Sequence, residues 1–304
     1  MRKIVTLLSA AIMMIVGGYA YGGEAPTPTP KHLQEVSVTI QSSGGTGSGV
    51  LFTRKDAKGA TVNLIWTAGH VVADLRSQRD VITPDGSKRT IVEFGDPKVV
   101  TQIIEDGRIV GRLEMDAEVI RYSNADDGED LAVLKVRKKN FVDKSVTFYL
   151  VAGIPDIGTD LLHVGSLRGQ FGANSLTSGI YSQHGRLLGK TVFDQTTCAA
   201  FPGSSGGGVF LKDNGQYIGM LVRGAGETFN LIVPIRRIHD WAKQAKVEWA
   251  LDPKIAMPTD EDLSKMPIED VGKQFSNAAT KTDKASFRTW FNEFERVGVN
   301  PTTE

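Results

Sequence analysis

The sequence predicts an all-β fold built in two halves. Three observations carry that expectation. Short β-branched and apolar runs recur at close spacing from about residue 33 to residue 233, and Gly, Asp, Asn and Pro punctuate the gaps between them. The runs are also more numerous than one small barrel uses, which places a division near Lys138 to Asp143.

Taken in order, the chain opens with Arg2 and Lys3, an apolar stretch from Ile4 to Val16, and small residues through Gly23. A charged head, a short apolar run and a small-residue exit describe an export signal, cut after Ala20 with Gly18 at the minus-three position. The alternative is an uncleaved anchor, because residues 4–21 reach the length needed to cross a bilayer. Either way residues 1–23 direct the body out of the cytoplasm, to the periplasm or the medium. Residues 24–32 alternate Pro and Thr and read as an extended spacer.

The body, residues 33–250, holds the strand candidates. They begin with Val36 to Ile40, Gly49 to Phe52 and Val62 to Trp66, and continue with Val99 to Ile104, Ala117 to Tyr122, Leu131 to Val136 and Val146 to Val151. The second half adds Leu161 to Val164, Gly179 to Ser182, Thr191 to Asp194, Gly208 to Leu211, Tyr217 to Val222 and Asn230 to Val233. The glycines between Gly44 and Gly49 precede a strand rather than a helix, so they read as a turn and not as a phosphate loop. Ile235 to Lys246 is a helix candidate, with Ile235, Ile238, Trp241, Ala242 and Ala245 on one face after Pro234. Residues 251–304 form an extension. Asp252 to Asp270 reads as irregular, and Thr282 to Val297 as an amphipathic helix that packs on the body or docks a partner or membrane surface.

Composition narrows the function classes. Lys plus Arg and Asp plus Glu are equal at 35 each, so nothing in the charge argues for nucleic acid as a partner. The one cysteine, Cys198, excludes an intramolecular disulfide and reads as a small buried hydrophobe. His32, His163, His184 and His239 fall in no metal-ligand spacing, so neither metal nor cofactor is expected.

Three motifs remain, and they carry chemistry. His70 lies at a strand end in Thr67-Ala68-Gly69-His70-Val71-Val72. Asp130 abuts an apolar strand in Gly128-Glu129-Asp130-Leu131-Ala132-Val133, and is preferred to Asp126 and Asp127 for that reason. Ser205 sits in the glycine-rich run Phe201-Pro202-Gly203-Ser204-Ser205-Gly206-Gly207-Gly208. A serine hydroxyl needs a base that titrates near neutrality, and histidine is the side chain suited to that task. A carboxylate on the second ring nitrogen fixes the tautomer and steadies the imidazolium.

In order and surroundings, these motifs resemble those of trypsin-like serine peptidases, and most closely the bacterial HtrA/Deg group. The resemblance extends to Thr177-Ser178-Gly179-Ile180-Tyr181-Ser182, Tyr217-Ile218-Gly219-Met220 and Asn230-Leu231-Ile232-Val233-Pro234. It implies two six-stranded antiparallel β-barrels of the chymotrypsin type, followed by C-terminal helices. It also implies an exported serine endopeptidase acting on protein or peptide substrates, with His70, Asp130 and Ser205 as catalytic triad. The backbone N–H groups of Gly203 and Ser205 would form the oxyanion hole, and Ala199, Ala200, Val222, Arg223 and Gly224 would line the substrate pocket. Small alanines favour aliphatic side chains there, although Arg223 could draw an acidic one.

Two departures qualify the likeness. Ser204 stands where that group has Asn and trypsin-type enzymes have Asp, so activation by a newly cut N-terminus is not expected. Residues 251–304 are too few for the PDZ domain that HtrA proteins carry. These departures motivate the alternative of a catalytically inactive binding protein on the same scaffold, tethered at the envelope through residues 4–21. An esterase, using the same acyl chemistry, is a further alternative. The oligomeric state is not legible in the sequence.

Overall fold

The structure is a computed structural model and describes residues 30–269, apart from Gly107 and residues 225–227. The leader and the Thr282 to Val297 helix therefore lie outside the described residues. The chain enters through α1 (Pro30–Glu35), whose Leu33 is buried, so ordered structure begins within the stretch assigned to the spacer.

Strands β1 (Ser37–Gln41), β2 (Thr46–Lys55) and β3 (Thr61–Thr67) lead to the one-turn helix α2 (Gly69–Val72). A hairpin of β4 (Arg76–Ile82) and β5 (Lys88–Phe94) stands apart as its own two-stranded sheet. Then β6 (Lys98–Glu105), β7 (Arg108–Ser123) and β8 (Leu131–Val136) complete a closed barrel in the order β1-β2-β3-β8-β7-β6.

The second barrel draws on β9 (Asp160–Leu167), β10 (Gly172–Leu188), β11 (Thr191–Thr196), β12 (Gly208–Leu211), β13 (Tyr217–Gly224) and β14 (Asn230–Pro234). It closes in the order β10-β11-β14-β13-β12-β9. Each barrel thus has six strands, all paired antiparallel, as the sequence leads one to expect. The linker between barrels spans the predicted division.

Inward faces read as the pattern requires. All seven residues of β3 are buried, and so are all of β12 and β14. Between the barrels an aromatic chain runs from Phe52 to Phe148, Tyr217 and Phe210, with ring centroids 5.5 to 5.9 Å apart. Edge-to-face packing at such distances adds to the area these rings bury.

Helix α3 (Ile235–Gln244) starts directly after Pro234, which fixes φ for the first turn. Its apolar stripe Ile235, Ile238, Trp241 and Ala242 is buried, and Trp241 meets Trp66 of the first barrel edge-on at 5.7 Å. Burying an indole requires a partner for its N–H, and Trp66 Nε1 donates to the Ala250 carbonyl at 3.1 Å.

Several elements differ from expectation. The β4–β5 hairpin is too polar and exposed to show a core period, so no strand was expected there. Val146 to Val151 forms no strand: Phe148 alone bridges to Tyr217, while Val146 and Phe148 supply buried side chains. The glycine turn is shorter than expected, because β2 begins at Thr46. The supposedly irregular 252–270 stretch contains α4 (Asp260–Lys265), started by a capping box in which Thr259 Oγ1 accepts from the Asp262 N–H at 3.1 Å.

Candidate active site

His70 and Asp130 lie on the first barrel, and the Ser205 loop of the second packs close to the same segment: a Cβ at Gly206 would fall 3.1 Å from the Ala68 nitrogen. His70 leaves the end of β3 on α2, where Gly69 and Val71 are buried and the ring is left about one-third exposed. Asp130 immediately precedes β8. Its backbone is left-handed, with φ of 56°, and its side chain is almost wholly buried. Asp is among the residues that tolerate such a conformation, at a cost of about 1–3 kcal/mol. The turn before it is tied down by bonds from Glu129 N–H to Ser123 Oγ (2.7 Å) and from Gly128 N–H to Asn124 O (3.0 Å). Asp126 and Asp127, by contrast, are exposed on that turn.

His70 and Asp130 are joined twice. The His70 N–H donates to Asp130 Oδ1 at 2.9 Å, and ring Nδ1 lies 3.0 Å from both carboxylate oxygens. An ionised carboxylate only accepts, so Nδ1 carries the proton and Nε2 is left to act as a base. Burial alone would raise the Asp130 pKa. The charge and hydrogen bonds of His70, helped by the Arg223 guanidinium, instead hold it below the usual carboxylate range.

Ser205 is half-buried on the loop between β11 and β12. No hydrogen bond joins it to His70 among the described residues; such bonds are often long before substrate arrives and tighten in the reacting complex. The loop around Ser205 is pinned from several sides. Ser205 C=O accepts from the Ser48 N–H at 2.7 Å, and Ser48 Oγ donates to Gly203 C=O at 2.7 Å. Ser48 is thus a first-barrel residue holding a second-barrel loop.

Two peptide planes matter most. Pro202 C=O accepts from the Arg168 N–H at 2.7 Å, and Ser204 C=O accepts from the Gly207 N–H at 2.9 Å. A trans peptide points its N–H opposite its C=O, so these bonds direct the Gly203 and Ser205 N–H groups to the other side. Among the described residues neither N–H is taken by an internal acceptor, whereas the Ser204 N–H is used on Phe201 O at 2.9 Å. Two unused donors on either side of the Ser204 N–H, beside a hydroxyl, are the kind of arrangement that can receive a developing oxyanion.

Gly203 has φ of 96°, and a Cβ there would fall 2.2 Å from Ser166 O. Only glycine fits that position without moving the backbone. Ser204 is completely buried, and its Oγ accepts from the Phe201 N–H at 3.1 Å, closing the loop on itself. No paired charge is involved at this position.

The expected pocket residues divide. Ala200 and Gly224 face each other, with a Cβ at 224 lying 4.0 Å from the Ala200 Cβ. Ala199 is half-buried, and its carbonyl accepts from Thr177 Oγ1. Val222 packs into the core. Arg223 follows a register shift between Leu221 and Arg223, and its Nη2 lies 3.5 Å from Asp130 Oδ2. A bulge re-aims a side chain, and here it turns the guanidinium toward the acid.

Cys198 is buried, which pushes its thiol up to about 11 and leaves it inert. His163 is fully buried below the serine loop. Burial takes its pKa down to about 4, so the ring is neutral there and Nδ1 donates to Gly208 O at 2.9 Å.

Some supporting residues have no sequence motif. Arg236 and Arg237, consecutive on α3, reach in different directions. Arg236 forks onto buried Asp194, with Nη2 at 2.6 Å from Oδ1, while the Tyr181 hydroxyl donates to the same carboxylate. Arg237 bonds Glu129 Oε2 and Glu129 O at 2.8 Å each, and Val192 O at 2.9 Å. It therefore clamps the turn that carries Asp130 onto the second barrel. An open groove of about 380 Å³, lined by Thr46, Arg168, Gly169, Pro202 and Gly203, adjoins the loop.

Comparison with known proteins identifies a family. Residues 47–220 match the family described as a trypsin-like peptidase domain. No curated protein matches the chain by sequence. Among solved structures, that of Deg5 aligns with a TM-score of 0.48 and 21% identity, covering 69% of this chain and 88% of that one. The serine endoprotease of Yersinia pestis aligns with the same score and identity, covering 74% of this chain and 68% of its own.

Proposed function

The chain belongs to the trypsin-like peptidase family, and from that premise we propose that it is an exported serine endopeptidase using a His70–Asp130–Ser205 triad. The single observation that supports the reading is a histidine oriented by a buried carboxylate, with the Ser205 loop, whose Gly203 and Ser205 N–H groups have no internal acceptor among the described residues, packed against the segment that leads to it.

Each step follows from a group in place. His70 Nε2 takes the Ser205 proton as Oγ attacks the peptide carbonyl, and the Gly203 and Ser205 N–H groups receive the oxyanion. Asp130 steadies the imidazolium through Nδ1. Proton return from His70 to the leaving amine gives an acyl-enzyme at Ser205, which water then hydrolyses by the same route. By the family resemblance, Ala200 and Gly224 would border the pocket for a small aliphatic side chain before the scissile bond. Residues 1–23, read as a signal peptide or an N-terminal anchor, support an activity outside the cytoplasm. Among the described residues no helix is long and apolar enough to cross a membrane.

A fluorophosphonate probe tests the reading. It labels Ser205 in the wild type, and Ser205→Ala loses both labelling and peptide hydrolysis while keeping its far-UV circular dichroism. A folded wild type that resists the probe and cleaves no casein-like substrate refutes the proposal and favours the inactive binding protein.

A further inference from the structure

We propose that Arg223 is a positioning residue of the triad, acting through Asp130 rather than lining the substrate pocket. This rests on the peptidase reading above and names a residue that the reading leaves without a role.

The argument begins with the carboxylate. Asp130 is withdrawn from water, and an ionised acid there needs several partners to remain charged and fixed. Its Oδ1 accepts from the His70 backbone N–H, and both oxygens face ring Nδ1. Oδ2 alone also faces a guanidinium, that of Arg223 at 3.5 Å. His70 and Asp130 belong to the first barrel and Arg223 to β13 of the second, so the ion pair joins the two barrels. With Oδ2 engaged from the far side, rotation of the carboxylate away from His70 is resisted.

The charge matters as much as the geometry. A cation beside the acid favours its ionised form, the form that accepts from Nδ1 and offsets the charge His70 gains during reaction. Other charged or titratable groups also act on Asp130: His70 on α2, the Tyr122 phenol on β7 and the Arg237 guanidinium on α3. Arg237 is bonded to Glu129 and Val192, which leaves Arg223 as the arginine in direct ion-pair range of Asp130.

Two variants of the full chain, Arg223→Met and Arg223→Lys, test this. In Arg223→Met, kcat falls about tenfold while KM stays within about twofold, because the group acts on the triad and not on bound substrate. Arg223→Lys, which keeps a cation at the position, restores most of the kcat. A third readout needs no turnover: the carbon-13 carboxyl titration of Asp130 shifts upward in Arg223→Met and returns in Arg223→Lys. If KM rises severalfold with kcat unchanged, Arg223 lines the pocket and the proposal is overturned. An unmoved Asp130 titration overturns it equally. A wild type that resists the fluorophosphonate while the Asp130 titration still responds overturns the peptidase reading and supports the coupling.

Discussion

Gly203→Ala probes the proposed oxyanion pocket most directly. Gly203 combines φ of 96° with backbone on two sides, so an added Cβ would lie 2.2 Å from Ser166 O and 2.8 Å from Gly169 N. Neither neighbour is a side chain that can rotate away. The unfavourable φ itself costs an alanine about 1–3 kcal/mol. Both problems are relieved by turning the Pro202–Gly203 peptide, which breaks the 2.7 Å bond from the Arg168 N–H to Pro202 O. The same turn carries the Gly203 N–H out of the pocket. Losing one such donor costs about 3–4 kcal/mol in the transition state, or about 10²–10³ in kcat.

Steady-state hydrolysis of a peptide substrate, normalised to the folded fraction by urea denaturation, measures this. Expected is a kcat decrease of about two orders of magnitude or more with little change in KM. Gly185→Ala is the control. Gly185 also has positive φ, at 70°, but its Cβ would meet nothing within 4 Å, and it lies far from Ser205 in the chain. It loses some stability and keeps its kcat. A folded Gly203→Ala with kcat within about threefold of wild type would refute the assignment of Gly203 as a donor.

Two further predictions concern stability. Between pH 6.5 and about 4 the unfolded chain binds a proton at His163 that the fold excludes, so stability is full above pH 6.5 and falls as pH drops through this window. The loss amounts to about 1.4 kcal/mol per pH unit, on the order of 3 kcal/mol in all; urea midpoints across the window show the slope, and an equal slope in His163→Leu would exclude His163 as its source. Asp194→Ala leaves Arg236 and the Tyr181 hydroxyl without their shared buried acceptor. The expected destabilisation is about 2–3 kcal/mol, less than for a fully buried pair because Arg236 is 36% exposed; a urea-derived change below about 0.5 kcal/mol would show the network to be unimportant.

What was legible in the sequence depended on whether a local pattern carried it. The strands of both barrels announce themselves because their inward residues are β-branched or aromatic and their gaps hold turn formers; β3 and β14, buried throughout, are the plainest cases. The β4–β5 hairpin escaped because its residues face water on both sides and leave no apolar period. In α4 the signal was present, Thr259 with Asp262 three residues on, but the prolines around it drew attention to irregularity. At the site, His70, Asp130 and Ser205 were visible as motifs, since each sits in a short, chemically distinctive string. Ser48, Arg168 and Arg237 were not, because their roles depend on contacts between segments far apart in sequence. The resemblance implies a pocket role for Arg223; its approach to Asp130 follows a shift of register in β13, which no spacing rule reports.

The substitution at Ser204 now has a physical meaning. An acidic side chain at that position must find a cation, and a loop so built can be disordered until the cation is supplied. Ser204 needs none: its hydroxyl is buried and receives the Phe201 N–H within the loop. The remaining restraints come from the Gly207 N–H within the loop and from Ser48 on β2, Arg168 after β9, and Leu221 on β13, which accepts from the Gly206 N–H at 2.8 Å. Every bond that orients the two candidate oxyanion peptides is therefore formed by folding alone. A loop held in this way is ready whenever the two barrels are docked. Control of such a site would act on access to the cleft or on the arginines that cross it, rather than on formation of the loop itself.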